Sequence, residues 1–113
     1  MSREKFVRQR ETGMVDCEFD EIELGDEVDL FGQRGKIVFE GGAYGVGFGH
    51  TFIDYDKLEK AIPEATGCNN SPYFTYNDNF ISLWELYWNF NGEDGYIPVL
   101  KIVRKGEHGS EKG

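Results

Sequence analysis

The sequence predicts a mainly β protein: a small, strongly bent antiparallel barrel of five or six strands, with one short helix at about residues 54–62 and a long loop. Three observations carry this. Residues 27–31 and 36–40 alternate with a period of two and are rich in Val, Ile and Phe, the pattern of half-buried strands. Between them, Gly32-Gln33-Arg34-Gly35 suits a hairpin connector, since glycine takes positive φ without a Cβ clash. Glycine then recurs at positions 45 and 47 of Ala43–Phe48, and repeated glycine in a strand marks the bulges and sharp bends that a small closed sheet needs. A phosphate-cradling loop is the sharper reading of those glycines. It requires a Lys-Ser/Thr or a helix N-terminus directly after, and neither follows.

In chain order, residues 1–13 read as a flexible arm, 14–105 as a single domain and 106–113 as a disordered tail. Val15, Cys17 and Phe19 alternate with Asp16, Glu18 and Asp20, so Met14–Leu24 reads as a half-buried strand running into a turn at Asp20-Glu21. The hairpin and the glycine-rich segment follow. Asp54 is placed to cap a helix in which Tyr55, Leu58 and Ile62 form one narrow apolar stripe, and Pro63 is placed to stop it. Residues 65–79 are turn-rich and carry Tyr73, Phe74 and Tyr76, a candidate recognition loop. Residues 79–82 read as a strand, followed by one or two helical turns through Phe90. Asn91–Gly95 is a turn, and Tyr96–Lys105 is the last strand, with Pro98 suggesting a sheet edge.

With 113 residues the chain makes one modest core, rich in aromatics at 15% of the sequence. No apolar run approaches the ~18–20 residues that span a bilayer, and the first residues lack a signal-peptide apolar core. The expected location is the cytoplasm, the host's if the protein is phage-encoded, with no membrane contact. Cys17 and Cys68 lack metal-ligand or CxxC spacing and read as reduced structural thiols.

Net charge is −9, and its layout is uneven. From Glu11 to Leu100 there are 18 acidic residues against four basic ones, Arg34, Lys36, Lys57 and Lys60. Phosphate repels such a body, which disfavours direct nucleic-acid binding through it. Asp16, Glu18, Asp20, Glu21, Glu23, Asp26, Glu27 and Asp29 crowd one stretch. As a solvated edge they resist strand aggregation, and as a face they suit a basic protein partner. The spacing of an EF-hand calcium loop is absent.

His50 and His108 are the only histidines, and no spacing pairs either with a cysteine, while Ser71 and Ser82 lack a nucleophile-elbow motif. The chain is expected not to be an enzyme and to need no metal or cofactor.

Gly25-Asp26-Glu27-Val28, the run Gly35–Val46 (GKIVFEGGAYGV), Phe80–Leu86 (FISLWEL) and the closing Tyr96–Val103 together resemble the YopX-like family of small phage and prophage proteins, over roughly Ile22–Val103. The resemblance implies an SH3-like or related barrel core and a mobile-element setting, and it brings no catalytic residues. The functional expectation is an acidic interaction module that binds a basic host or phage protein, as a DNA mimic or anti-defence inhibitor. Two alternatives stand beside it. One is a small-ligand or nucleotide binder using the glycines and loop aromatics. The other is a homo-oligomerisation domain using the Phe80–Phe90 surface.

Overall fold

The computed structural model describes residues 11–66 and 72–106. They form strands β1 (Glu11–Val15), β2 (Glu21–Glu23), β3 (Glu27–Leu30), β4 (Gln33–Glu40), β5 (Ala43–Gly47), β6 (Phe80–Ser82) and β7 (Leu100–Arg104), with helices α1 (Tyr55–Thr66) and α2 (Leu83–Asn89). The chain is mainly β, in two antiparallel sheets. β1 and β2 make a ribbon, and the other five strands make one sheet in the order β6-β5-β4-β3-β7.

Alternation builds the inner face of that sheet. Ile37 of β4 lies opposite Val46 of β5, which lies opposite Ile81 of β6. This row is almost fully buried, as are Val28, Leu30 and Leu100 of β3 and β7. Leu58 and Ile62 of α1, and Leu83, Leu86 and Phe90 from α2 and its C-terminus, complete the same apolar cluster. Burying a side chain of this size is worth about 1.5–3 kcal/mol. The cluster is therefore what holds both helices to the sheet.

The connectors are tighter than the glycines suggest. The β3–β4 turn is Phe31-Gly32, with φ of +53° and +89°, and Leu30 already pairs with Gln33. Gln33, Arg34 and Gly35 are thus ladder residues, which corrects their reading as a loop. A two-residue turn with positive φ at both positions follows the right-handed strand twist. Phe31 tolerates the conformation because its ring packs on Phe90, at 5.6 Å between centroids. Gly41-Gly42 closes β4–β5 in the same way, with φ of +60° and +85°. Gly45 answers a different need, because a Cβ there would lie 2.6 Å from the Phe80 ring on the neighbouring strand.

Other boundaries move for local reasons. The strand expected over Met14–Leu24 breaks into β1, a turn at 16–20 and β2. Glu11–Gly13, expected in the arm, belong to β1, while residues 1–10 lie outside the described residues. Asp54 does cap α1, its carboxylate accepting from the Lys57 N–H at 3.2 Å, but the helix runs one turn beyond Pro63 and forgoes the bond that proline cannot donate. α2 is a second helix beside the single one expected for the fold, at the place where the sequence suggests helical turns. Ser82 and Glu85 close a reciprocal capping box at its N-terminus. β7 is an edge strand, as Pro98 suggests, though it starts only at Leu100. Gly106 is held by a hydrogen bond to Asp26, whereas the remainder of the expected tail lies outside the described residues. No described helix is long and apolar enough to cross a membrane.

Gly45→Ala should lower stability by about 1–3 kcal/mol through overpacking against Phe80. Urea denaturation measures it, and an unchanged midpoint would show that β6 can shift to make room.

Candidate functional site

The eight acidic residues of the 16–29 stretch separate into three groups. Asp16 and Asp26 are fully buried. The Asp16 carboxylate accepts from the N–H groups of Glu18 and Asp20, both at 2.9 Å, and of Ile102 at 2.8 Å. Asp26 accepts from the N–H of Glu23 at 2.9 Å, the N–H of Gly106 at 2.7 Å and the Lys105 ammonium at 2.7 Å. Neither can meet a partner, which corrects their reading as part of an acidic face: a buried carboxylate is tolerable only when charge and hydrogen bonds satisfy it.

A second group pairs with the chain's own cations. Glu18 meets Lys101 at 2.7 Å, Glu23 meets Lys105 at 3.6 Å, Asp29 meets Arg34 at 3.7 Å and Glu27 meets Arg104 at 3.9 Å. Three of these cations come from β7 or the residue after it. The third group is Asp20 and Glu21, both exposed, whose carboxylates have no partner among the described residues.

These two flank Phe19, which is 70% exposed and has a φ of +66°. An exposed phenylalanine in the left-handed region is uncommon, and unusual backbone of this kind clusters at functional sites. The turn that presents it is rigid. Its backbone is bonded across Asp16 and Asp20, and the Asp16 carboxylate fills its centre. The Phe19 ring stacks on Tyr96, with centroids 4.5 Å apart and planes at 17°. The Tyr96 hydroxyl in turn donates to the Cys17 carbonyl at 3.3 Å. Alternation places Phe19 inward with Val15, and the turn at Asp16 is what reverses it. The Cys17 thiol is pushed up by burial and then by the Asp16 and Glu18 carboxylates, so it stays protonated and is a poor nucleophile. Cys68 lies outside the described residues.

The aromatic loop also divides. Phe74 is buried in the core, its ring 5.5 Å from that of Tyr55, so it is not presented to a partner. Tyr76 is half exposed, 4.8 Å from Tyr55, and its hydroxyl donates to Glu59. Tyr73 is 70% exposed. Its backbone is bracketed by the buried Asn89 side chain, which accepts from the Tyr73 N–H and donates to the Tyr73 carbonyl, both at 2.7 Å. The Thr75 N–H donates to Glu85 at 2.8 Å. Two polar side chains on one flank of α2 therefore hold the loop as a neighbouring strand would. The Ser82-x-x-Glu85 spacing was the sequence signal for part of this, whereas nothing local marked Asn89.

Between the β4–β5 turn and residues 75–80 lies an open cleft of about 570 Å³. Glu40, Asp78 and Glu85 line it together with Thr75, Asn77 and Ser82, and no Lys, Arg or His does. Phosphate would be repelled there, which counts against a nucleotide. His50 is exposed, and no described group of three or more His, Cys, Asp or Glu is placed to hold a metal ion.

The solvent side of α2 presents Trp84 and Trp88, 52% and 65% exposed, with near-parallel rings 6.2 Å apart and Tyr87 set edge-on to both. The sequence left open whether these tryptophans are core or surface. No family model, curated protein or solved structure matches the chain.

Asp16→Ala should strand three backbone donors and destabilise the protein by about 3 kcal/mol or more, while Asp20→Ala should change stability by no more than about 0.5 kcal/mol. Chemical denaturation of the two variants checks the contrast, and equal effects would refute it. A separate expectation concerns alkaline pH. Burial, then the charges of Glu85, Tyr76 and Asp78, push the Tyr55 hydroxyl up to about 12 from its ordinary 10.0, and it donates to the Asn77 carbonyl at 2.7 Å. A raised acid is more easily ionised in the unfolded chain, so its contribution is fully present below pH ~10 and is lost as pH rises toward ~12. The melting temperature should fall across that window, and less steeply in Tyr55→Phe; parallel curves would rule Tyr55 out as a source.

Proposed function

We propose that the chain is a non-enzymatic interaction module for a basic protein partner, built on a bent sheet of SH3-like type. The observation that carries this reading is the turn between β1 and β2. It displays an exposed, rigidly held Phe19 beside Asp20 and Glu21, carboxylates with no described counter-ion. An aromatic anchor ringed by acids is suited to a partner that offers Lys or Arg around an apolar spot. The other solvent-accessible carboxylates of the stretch already pair with Lys101, Arg104, Lys105 or Arg34, so a partner's cations would engage this turn first. A DNA-mimicking, anti-defence role is the form of this function that the phage-family resemblance favours. In that role the carboxylates stand where a basic groove expects phosphates.

Pull-down of host proteins by the native chain should recover basic proteins at low salt. Recovery should fall sharply by ~0.5 M salt, where exposed charges are screened over about 4–5 Å. The double variant Asp20→Lys/Glu21→Lys should lose the same proteins. Capture indifferent to both salt and charge reversal would refute the reading.

A further inference from the structure

Every strongly exposed large apolar residue among those described is aromatic: Phe19, Phe39, Phe52, Tyr73, Tyr76, Trp84 and Trp88. Two aromatic groups within this set meet through one turn. The N–H of Gly92 donates to the Tyr87 carbonyl at 2.7 Å. A Cβ on Gly92 would collide with the Tyr87 ring and lie 2.7 Å from the Tyr96 carbonyl, so the chain passes directly between them. On one side Tyr87 leads to the Trp84–Trp88 pair, and on the other Tyr96 carries the stacked Phe19 ring. Glu93 and Asp94 project from the same turn. Both are exposed, and their carboxylates have no partner among the described residues. From Leu83 to Tyr96 the chain contains no Lys, Arg or His.

We propose that Trp84, Tyr87 and Trp88 join Glu93 and Asp94, across Gly92, to the Phe19–Tyr96 stack as one docking strip for an extended arginine-rich segment of a partner protein. The charge pattern selects that occupant. Carboxylates between two aromatic groups offer a guanidinium both a fork-shaped ion pair and a flat π surface, and arginine uses the two together better than lysine does. The inference rests on the reading of the chain as a module for basic partners and names the surface that module uses. It extends the Phe19 turn along the molecule, so that arginines spaced along one segment reach the indoles and the acids in succession.

The chain's two tryptophans both lie in this strip, so intrinsic fluorescence reports on it without a label. Nona-arginine should shift the emission of the native chain to shorter wavelength, with affinity falling as salt is raised. Calorimetry should find nona-lysine weaker. Trp84→Ala/Trp88→Ala should weaken nona-arginine binding about tenfold, consistent with cation–π contacts to desolvated indoles. Because both side chains are exposed, its melting temperature should stay near that of the native chain. Glu93→Gln/Asp94→Asn should bind more weakly and with a flatter salt dependence.

Unchanged affinity in the tryptophan variant, with binding lost in Asp20→Lys/Glu21→Lys, would overturn the strip and leave the module reading standing. An absence of nona-arginine binding at low salt would overturn both. A native dimer by light scattering that the tryptophan variant renders monomeric would assign the face to a second copy and overturn the proposal.

Discussion

Two carboxylates without solvent contact hold the ends of this fold together. Asp16 binds three backbone N–H groups, two in its own turn and one, Ile102, on β7. Asp26 binds the N–H groups of Glu23 and Gly106 and the ammonium of Lys105. An isolated charge in such a place would cost several kcal/mol, so each is stable only while every one of its partners stays in position. The dependence runs both ways. β7 is an edge strand paired with β3 among the described strands, and these carboxylates pin it at 102 and again just past its end, at 105–106. The turn that displays Phe19 is built around one of the same two groups.

The centre of the fold was readable from the sequence, and its periphery was much less so. Val28/Leu30 and Ile37 announce β3 and β4 because a strand with one buried face must alternate. Glycine and proline located the turn at 91–95 and the edge character of the last strand. Reading failed where a side chain did the work of backbone. Asp16 and Asp26 look like their acidic neighbours in composition, and only the distant N–H groups of Ile102 and Gly106 distinguish them. Phe31 occupies a position that glycine, asparagine or aspartate usually fills, because Phe90 supports its ring from 59 residues away along the chain. Phe19 and Phe74 exchanged their expected environments for the same reason, one turned outward by a local carboxylate and the other drawn inward by Tyr55. Of the candidate surface, Asp20 and Glu21 were legible as exposed acids. The tryptophan pair was not, since helical spacing alone does not say which side of a helix finds the core.

α2 shows how a seven-residue helix can serve three directions at once. Leu83 and Leu86, with Phe90 at its end, enter the core. Glu85 and Asn89 hold the 73–75 backbone. Trp84 and Trp88 remain outside. The first two roles immobilise the third, so a contact made through the indoles would lose little further backbone freedom on binding.

The pairing of β7 with the acidic stretch also bears on how the chain acquires its structure during synthesis. The Ile102 N–H reaches Asp16 across 86 positions, and Lys101, Arg104 and Lys105 answer carboxylates placed near the beginning of the described chain. Until those residues leave the ribosome, Glu18, Glu23, Asp26 and Glu27 lack the cations that they pair with in the finished fold. Such long-range closure is slow compared with the formation of local hairpins. The last strand therefore acts as a latch: the buried Asp16 and Asp26 gain their full set of partners only after nearly all of the chain has been made, and a chain cut before Leu100 would leave both short of them.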